Sequence, residues 1–519
     1  MTPSTPQPTE FDEEVPLATV TDAAAATAAG SVVRNSVWST LGMILPQAYT
    51  LAGSVLIARF LGAASVGRVS FIALVQATLI MLFAQGLPKA LLRYTGETVG
   101  RGDAGAVRDL ANLFTRIGAA TGLLCGVGMA AVGALGSTPR GAWVFAGVAA
   151  AAMITQSFPN AFLLGIQRWN TATLAGLIPA SIGMAFKIAW LIGGGGITGL
   201  FGVDAAMALV TLGASSLLAR RHLRHLGTGR HVDRVLRARA LRFGLITSLG
   251  IIVTLVVWRR TEVFFLAHYS SDTEIALYSV PFSAMTALLI VPQAASATLS
   301  PAFATLFGAG ATDRIANGFA RSIRLITLMS VGLAALTIAC GGELIRLVYG
   351  PAFQGAGRVI VILALPVPLV SLLYTCLAIL LGLGRQWVPI LTDSIAAVFN
   401  LGLDWLFIPG HGAVGAAVAN ACAQALGSIP ILIYTTRLIG GSPWTLRGTG
   451  GAFGAGTAAA ICGWFVVHML GGIVGVTAGL LVTVAVGGAV LRLLGAVGAE
   501  DAAWLQAVVA APLRRRFAG

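Results

Sequence analysis

Charge is what this chain has least of. Only 10% of its 519 residues are Asp, Glu, Lys or Arg, against about 25% in soluble globular domains. A water-exposed fold of this size is therefore excluded, and 57% hydrophobic residues with a mean hydropathy of +0.87 take the place of polar surface. Cysteine is sparse too. Cys125, Cys340, Cys376, Cys422 and Cys462 show neither paired nor metal-ligand spacing. That excludes a disulfide framework and a thiolate metal centre, and buried free thiols are expected. No G-x-x-x-x-G-K-[ST], H-E-x-x-H or G-x-S-x-G occurs, so a nucleotide-hydrolysing module and the corresponding hydrolases are excluded. No cofactor motif is present and none is expected. No long polar segment is left to hold a catalytic domain outside the apolar runs. The start of the chain lacks a basic n-region followed by a short apolar core, so no cleaved signal peptide is expected.

What is present is a succession of apolar spans, about fourteen of them, each near the roughly 20 residues that cross hydrocarbon. The 65 glycines suit close helix contact in lipid, where small residues stand in for the hydrophobic drive. The net charge of +14 does not point to nucleic acid, because no basic arm is interleaved with exposed aromatics. The cations lie in alternate loops instead. Lys89, Arg93, Arg101, Arg108, Arg168, the run Arg220–Arg242 and Arg385 fall on one side. This asymmetry predicts both termini in the cytoplasm and contact with anionic headgroups. His222, His225 and His231 in that run have no carboxylate or thiol company, so a headgroup-facing linker, not a metal site, is expected.

The organisation predicted is all-α and polytopic. A disordered tail (1–33) precedes a helix bundle (34–219), a basic linker (220–242) and a second bundle (243–437). Two extra spans (438–494) and a tail (495–519) follow. The two six-helix bundles are expected to be pseudo-symmetric around a central cavity. AFLLGIQRWN at Ala161–Asn170 is matched 217 residues later by AILLGLGRQW at Ala378–Trp387. Internal repeats with polar groups at their interface mark secondary transporters, with the substrate between the halves.

The candidate binding residues are the polar ones inside spans, where charge is costly and functional by default. Asp393, Asn400 and Asp404 share one helical face. Lys187 falls opposite Asp404 at the repeat offset and is expected to line the cavity. Arg259, Arg260 and Glu262 lie in span seven. Arg259 is expected to pair with Glu262, leaving Arg260 for the cavity. Gln156 and Asn160, and Asn420 and Gln424, are amides four apart. Interhelical hydrogen bonding competes with ligand contact as their role.

Several stretches carry a family resemblance. LIARFLGAASVGRVSF at Leu56–Phe71, GLPKALLRYTGE at Gly86–Glu97, EVFFLAHYSSDTEIALYS at Glu262–Ser279, and VYGPAF from Val348 with the AILLGLGRQW turn resemble, in order and spacing, Wzx-type oligosaccharide flippases. These belong to the multidrug/oligosaccharidyl-lipid/polysaccharide exporter superfamily. Glu262 stands where an Asp is common, and the acid usual in the first motif is absent. The resemblance implies alternating access and a polyprenyl-diphosphate-linked glycan as cargo, with membrane lipids and other polysaccharide assembly proteins as partners. The two extra spans resemble those of lipid-linked peptidoglycan-precursor flippases. A multidrug/cation antiporter would favour an acid-lined, aromatic-rich cavity, and a membrane-embedded polymerase would need a large outer loop.

Overall fold

The computed structural model describes residues 42, 45–136, 138–225, 234–258, 261–308, 312–383, 385, 387–439 and 447–494. All the regular elements among them are helices. The first bundle holds α1 (45–61), α2 (Ala63–Phe83), α3 (Gly86–Gly100), α4 (Ala104–Ala134), α5 (Arg140–Gly165), α6 (Trp169–Ile192) and α7 (Ile197–His225). The second half holds α8 (Arg234–Trp258), α9 (Thr261–Tyr269), α10 (Asp272–Gly308), α11 (Thr312–Tyr349), α12 (Ala356–Ala364), α13 (Val367–Gly382) and α14 (Trp387–Leu438). α15 (Arg447–Leu470) and α16 (Gly472–Leu493) pack on each other and on α11.

Ten helices among the described residues are long and apolar enough to cross a membrane, or eleven if the bent pair α12–α13 is one span. α14 is counted once there, yet Gly412 interrupts it with φ 52 and ψ −131. A residue with a Cβ resists that conformation, so the 52-residue helix is two arms, 387–411 and 413–438. Each exceeds the roughly 20 residues a span needs. The bend between α12 and α13 is 42° and falls at Leu365–Pro366, where proline removes a donor and crowds the preceding turn. The expected linker 220–242 is partly helical, because α7 runs to His225 and α8 begins at Arg234. Its Arg, Leu and Ala residues are good helix formers.

The repeat has a structural counterpart. α5 ends at Gly165 and α13 at Gly382, the same 217 residues apart. Arg168 N donates to Leu163 O at 2.9 Å, and Arg385 N donates to Leu380 O at 2.8 Å, so one turn closure is used twice. The break of α14 at Gly412 likewise corresponds to the turn between α6 and α7. The two arms of α14 thus repeat α6 and α7.

Small residues set the closest packing. On α4, Gly122 and Gly126 are one turn apart and face Ala151 and Gly147 of α5, where added Cβ atoms would come within 2.7 and 2.8 Å of backbone oxygens. Backbones this close maximise dispersion contact where lipid supplies no hydrophobic drive. Large apolar side chains point outward in turn: Leu124 is 72% exposed and Val398 73%, as a lipid-facing surface requires.

The halves touch at both ends. At one end, Arg68 of α2 pairs with Asp272 of α10 at 2.6 Å. Arg59 of α1 donates through Nε to Val348 O at 2.7 Å and also to Leu347 O, carbonyls left open at the end of α11. Ser54 and Tyr349 share a hydrogen bond of 2.8 Å. A cavity of ≈ 600 Å³ opens here, lined by Leu61, Arg68, Pro139 and Trp190. At the opposite end α3 packs on α8, with Tyr94 and Phe243 edge to face at 6.1 Å.

Candidate functional site

The break in α14 lays its second arm back along the first, so that Gly427 approaches Ala396, and α9 packs against α14. Three backbone segments thereby deliver one polar cluster into an apolar interior. Asn400 and Asp404 come from the first arm, one turn apart. Asn420 and Gln424 come from the second, also one turn apart. Thr261 and Glu262 open α9. Glu262 is 1% exposed, Asn400 2%, Asp404 0% and Asn420 6%.

Asn400 is the hub. Its Nδ2 reaches Thr261 Oγ1 at 3.1 Å, Glu262 Oε1 at 3.2 Å and Asp404 Oδ2 at 3.3 Å. An amide has two hydrogens to share among these three acceptors. Thr261 Oγ1 donates to Asp404 Oδ2 at 3.5 Å. Asn420 Nδ2 donates to Glu262 Oε1 at 2.8 Å, and Gln424 Nε2 to Asn420 Oδ1 at 2.6 Å. Glu262 Oε2, Asn400 Oδ1 and Asp404 Oδ1 are buried without a hydrogen-bond partner among the described residues. Among the described residues the cluster is rich in acceptors and poor in donors. Two carboxylates bridged by one amide in so dry a place call for compensating positive charge. Oxygen ligands of this kind suit a proton or a hard cation. Among the described residues no group of three or more His, Cys, Asp or Glu is assembled.

The other candidates fall elsewhere. Lys187 does not meet Asp404. Its Nζ lies 2.5 Å from Asp204 Oδ1 of α7, with the two side chains 28% and 43% exposed. Asp404 is its counterpart at the repeat offset and not its partner: this lysine takes the acid on the adjacent helix, which needs no long reach. Asp204 sits alone in an otherwise apolar span, and that isolation was the signal in the sequence for it. Gln156 and Asn160 are half-buried on α5, and Asn160 Oδ1 is enclosed without a described partner. Neither joins the cluster. Asp393 is half-buried facing Gly427 on the second arm. Arg259 and Arg260 lie outside the described residues, as does the expected Arg259–Glu262 pair. Asn420 and Gln424, for which interhelical bonding and ligand contact were both open in the sequence, hydrogen-bond into the cluster. Thr261 and Glu274 were missed. Glu274 accepts from Ala413 N at 2.7 Å and so braces the break that positions both arms, a role visible only once the arms are folded together.

This architecture is that of a two-bundle polytopic membrane transporter fold. An inward-facing multidrug resistance MATE family transporter of the MOP superfamily superposes with a TM-score of 0.64 at 17% identity, covering 79% of this chain and 98% of that one. Lipid II flippase MurJ in an inward closed conformation gives 0.64 at 13% identity, covering 93% and 99%. A MOP superfamily transporter from Pyrococcus furiosus gives 0.56 at 16%, covering 79% and 95%. The chain belongs to the polysaccharide biosynthesis protein family, whose model matches residues 32–307, and the MatE family model matches residues 248–406. The Wzx-type resemblance of the motifs stands with this. A curated relative, Probable flippase AglR of Haloferax volcanii, is 24% identical over 172 residues, which are 32% of this chain and 36% of that protein. The match thus spans only about a third of that relative's length.

Proposed function

We propose that the protein is an alternating-access flippase that moves a polyprenyl-diphosphate-linked oligosaccharide across the cytoplasmic membrane for cell-surface polysaccharide assembly, with both termini inside. Cation or proton exchange at the Glu262–Asn400–Asp404 cluster drives it. The observation that carries this reading is the pair of buried carboxylates bridged by Asn400. It sits where the two arms of α14 meet α9, so occupancy by a positive charge changes how three segments of one bundle pack. A charge that enters from one side and leaves to the other can couple to bundle movement, because each state is stabilised by differential binding. Family membership and the ordered motifs support the cargo. A lipid-linked peptidoglycan precursor is the second reading, favoured by α15 and α16 and by the wide coverage of the MurJ likeness.

Complementation separates the two. The full chain, expressed in cells lacking their own oligosaccharide flippase, should restore surface glycan, and in cells depleted of their peptidoglycan-precursor flippase it should fail to restore growth. The reverse result would overturn the cargo assignment. In proteoliposomes, Asp404→Asn should reduce cargo movement by about tenfold or more and abolish its dependence on an imposed proton or sodium gradient. A variant that still responds to either gradient would overturn the coupling role.

A further inference from the structure

The seam between α3 and α8 carries cations that the cluster does not use. Arg93 of α3 is exposed and lies over two aromatic faces. Its guanidinium carbon is 4.7 Å from the centre of the Phe243 ring and 5.6 Å from that of Tyr94. Tyr94 is 3% exposed and packs with Leu91, Ala90 and Ala240 in one apolar core. The platform under Arg93 is therefore rigid. Stacking fixes the guanidinium plane and leaves its edge, with five N–H donors, free to point outward. Lys89 is one turn earlier on the same exposed face of α3. Arg239 is one turn before Phe243 on α8, Arg242 is next to it, and both are exposed.

The nearby acids are committed elsewhere. Glu97 pairs with Arg101 at 2.6 Å, Asp103 caps α4 through Ala106 N at 2.9 Å, and Asp109 faces Arg237 at 4.0 Å. Among the described residues, Lys89, Arg93, Arg239 and Arg242 are left without a carboxylate. Cations that only set topology need no fixed geometry. A guanidinium clamped on two rings has one, and the planar fork matches the oxygens of a phosphate. We propose that the α3–α8 seam, with Arg93 at its centre, binds the phosphate headgroup of a membrane lipid. Its place at the junction of the two halves puts a lipid phosphate at the mouth between the bundles. The ligand is either an anionic phospholipid or the diphosphate of a polyprenyl carrier. The second source rests on the function proposed above, whereas the site itself does not.

Native mass spectrometry of the purified full chain tests this, with phosphatidylglycerol, undecaprenyl diphosphate and phosphate-free diacylglycerol as probes. Arg93→Gln should weaken binding of one phosphate lipid by about tenfold, the loss of a charge-assisted fork. Phe243→Leu, which keeps every charge, should weaken it by about threefold through loss of the stack. Arg358→Gln, on α12 away from the seam, removes the same charge and should leave binding unchanged. Diacylglycerol should not respond to any variant. A melting curve for each variant shows that the fold is retained. An effect confined to undecaprenyl diphosphate names the carrier as ligand, and one confined to phosphatidylglycerol names a phospholipid. The latter upholds the site without bearing on the cargo. Equal binding by Arg93→Gln and Arg358→Gln, with both lipids, would overturn the site.

Discussion

Lys187 and Asp204 show how a single residue's meaning changes with its neighbour. The pair bridges α6 and α7 at 2.5 Å, but neither side chain is fully enclosed. Facing a water-filled cavity between the bundles, such a pair is screened and worth about 1 kcal/mol, not the several of a dry pair. Lys187→Ala should lower the melting temperature of the purified protein modestly, and Lys187→Ala with Asp204→Ala should recover most of the loss. If the double variant also transports normally, the pair is structural. If transport stays lost while stability returns, Lys187 contacts the cargo. Equal destabilisation in the single and double variants would refute the pairing itself. Asn400 is different in kind. One amide serves two carboxylates, and no substitution keeps both its size and its two N–H donors.

At the scale of elements, the α4–α5 contact depends on backbone proximity. Gly126 faces Gly147 across the pair, and each meets the other's carbonyl oxygen within van der Waals distance of a notional Cβ. Gly126→Leu must push the helices apart. The expected cost is about 2–3 kcal/mol from lost packing and strain, seen as a reduced folded fraction on size-exclusion chromatography. Gly128→Leu is the control, because nothing lies within 4 Å of that position. A folded fraction equal in the two variants would show that this contact does not govern assembly. The α15–α16 hairpin is held by another device. Glu343 of α11 accepts from Gly472 N at 2.8 Å and from Arg346 Nε at 2.7 Å, so the first turn of α16 has its donor satisfied from the neighbouring bundle.

Over the whole molecule, the Arg59–Arg68 corner is where the halves are locked. Besides the ion pair and the capped carbonyls of α11, Gly67 lies so close to Asp272 that a Cβ there would run into its backbone. Alternating access requires this corner to part. Gly67→Ala is therefore a wedge. It should shift the population toward the form open at this end, because only that form relieves the overlap. A lone cysteine at Ser54, in a chain with the native cysteines replaced, reports the shift. Its labelling rate by an impermeant maleimide should rise several-fold in Gly67→Ala. An unchanged rate would show that the corner yields without opening.

Sequence alone determined the membrane class, the helical content and the repeat, because those follow from composition and from periods of one helical turn. Charge scarcity excluded every water-exposed fold, and AFLLGIQRWN against AILLGLGRQW placed a turn whose hydrogen bond proved identical in both halves. It also put Asn400 and Asp404 on one face, since four residues return a helix to the same direction. It could not give their partners. Which helix a face meets depends on the break at Gly412, on Glu274 bracing Ala413, and on α9 lying against both arms, and these contacts join residues more than a hundred positions apart. Symmetry of sequence made Lys187 the repeat counterpart of Asp404 but did not give its neighbour. Tertiary packing set Asp204 beside it, because an ion in a span takes the nearest counter-charge across a helix contact. The cluster of two carboxylates exists only once three segments are folded together, so its acceptor-rich chemistry is a property of the tertiary structure.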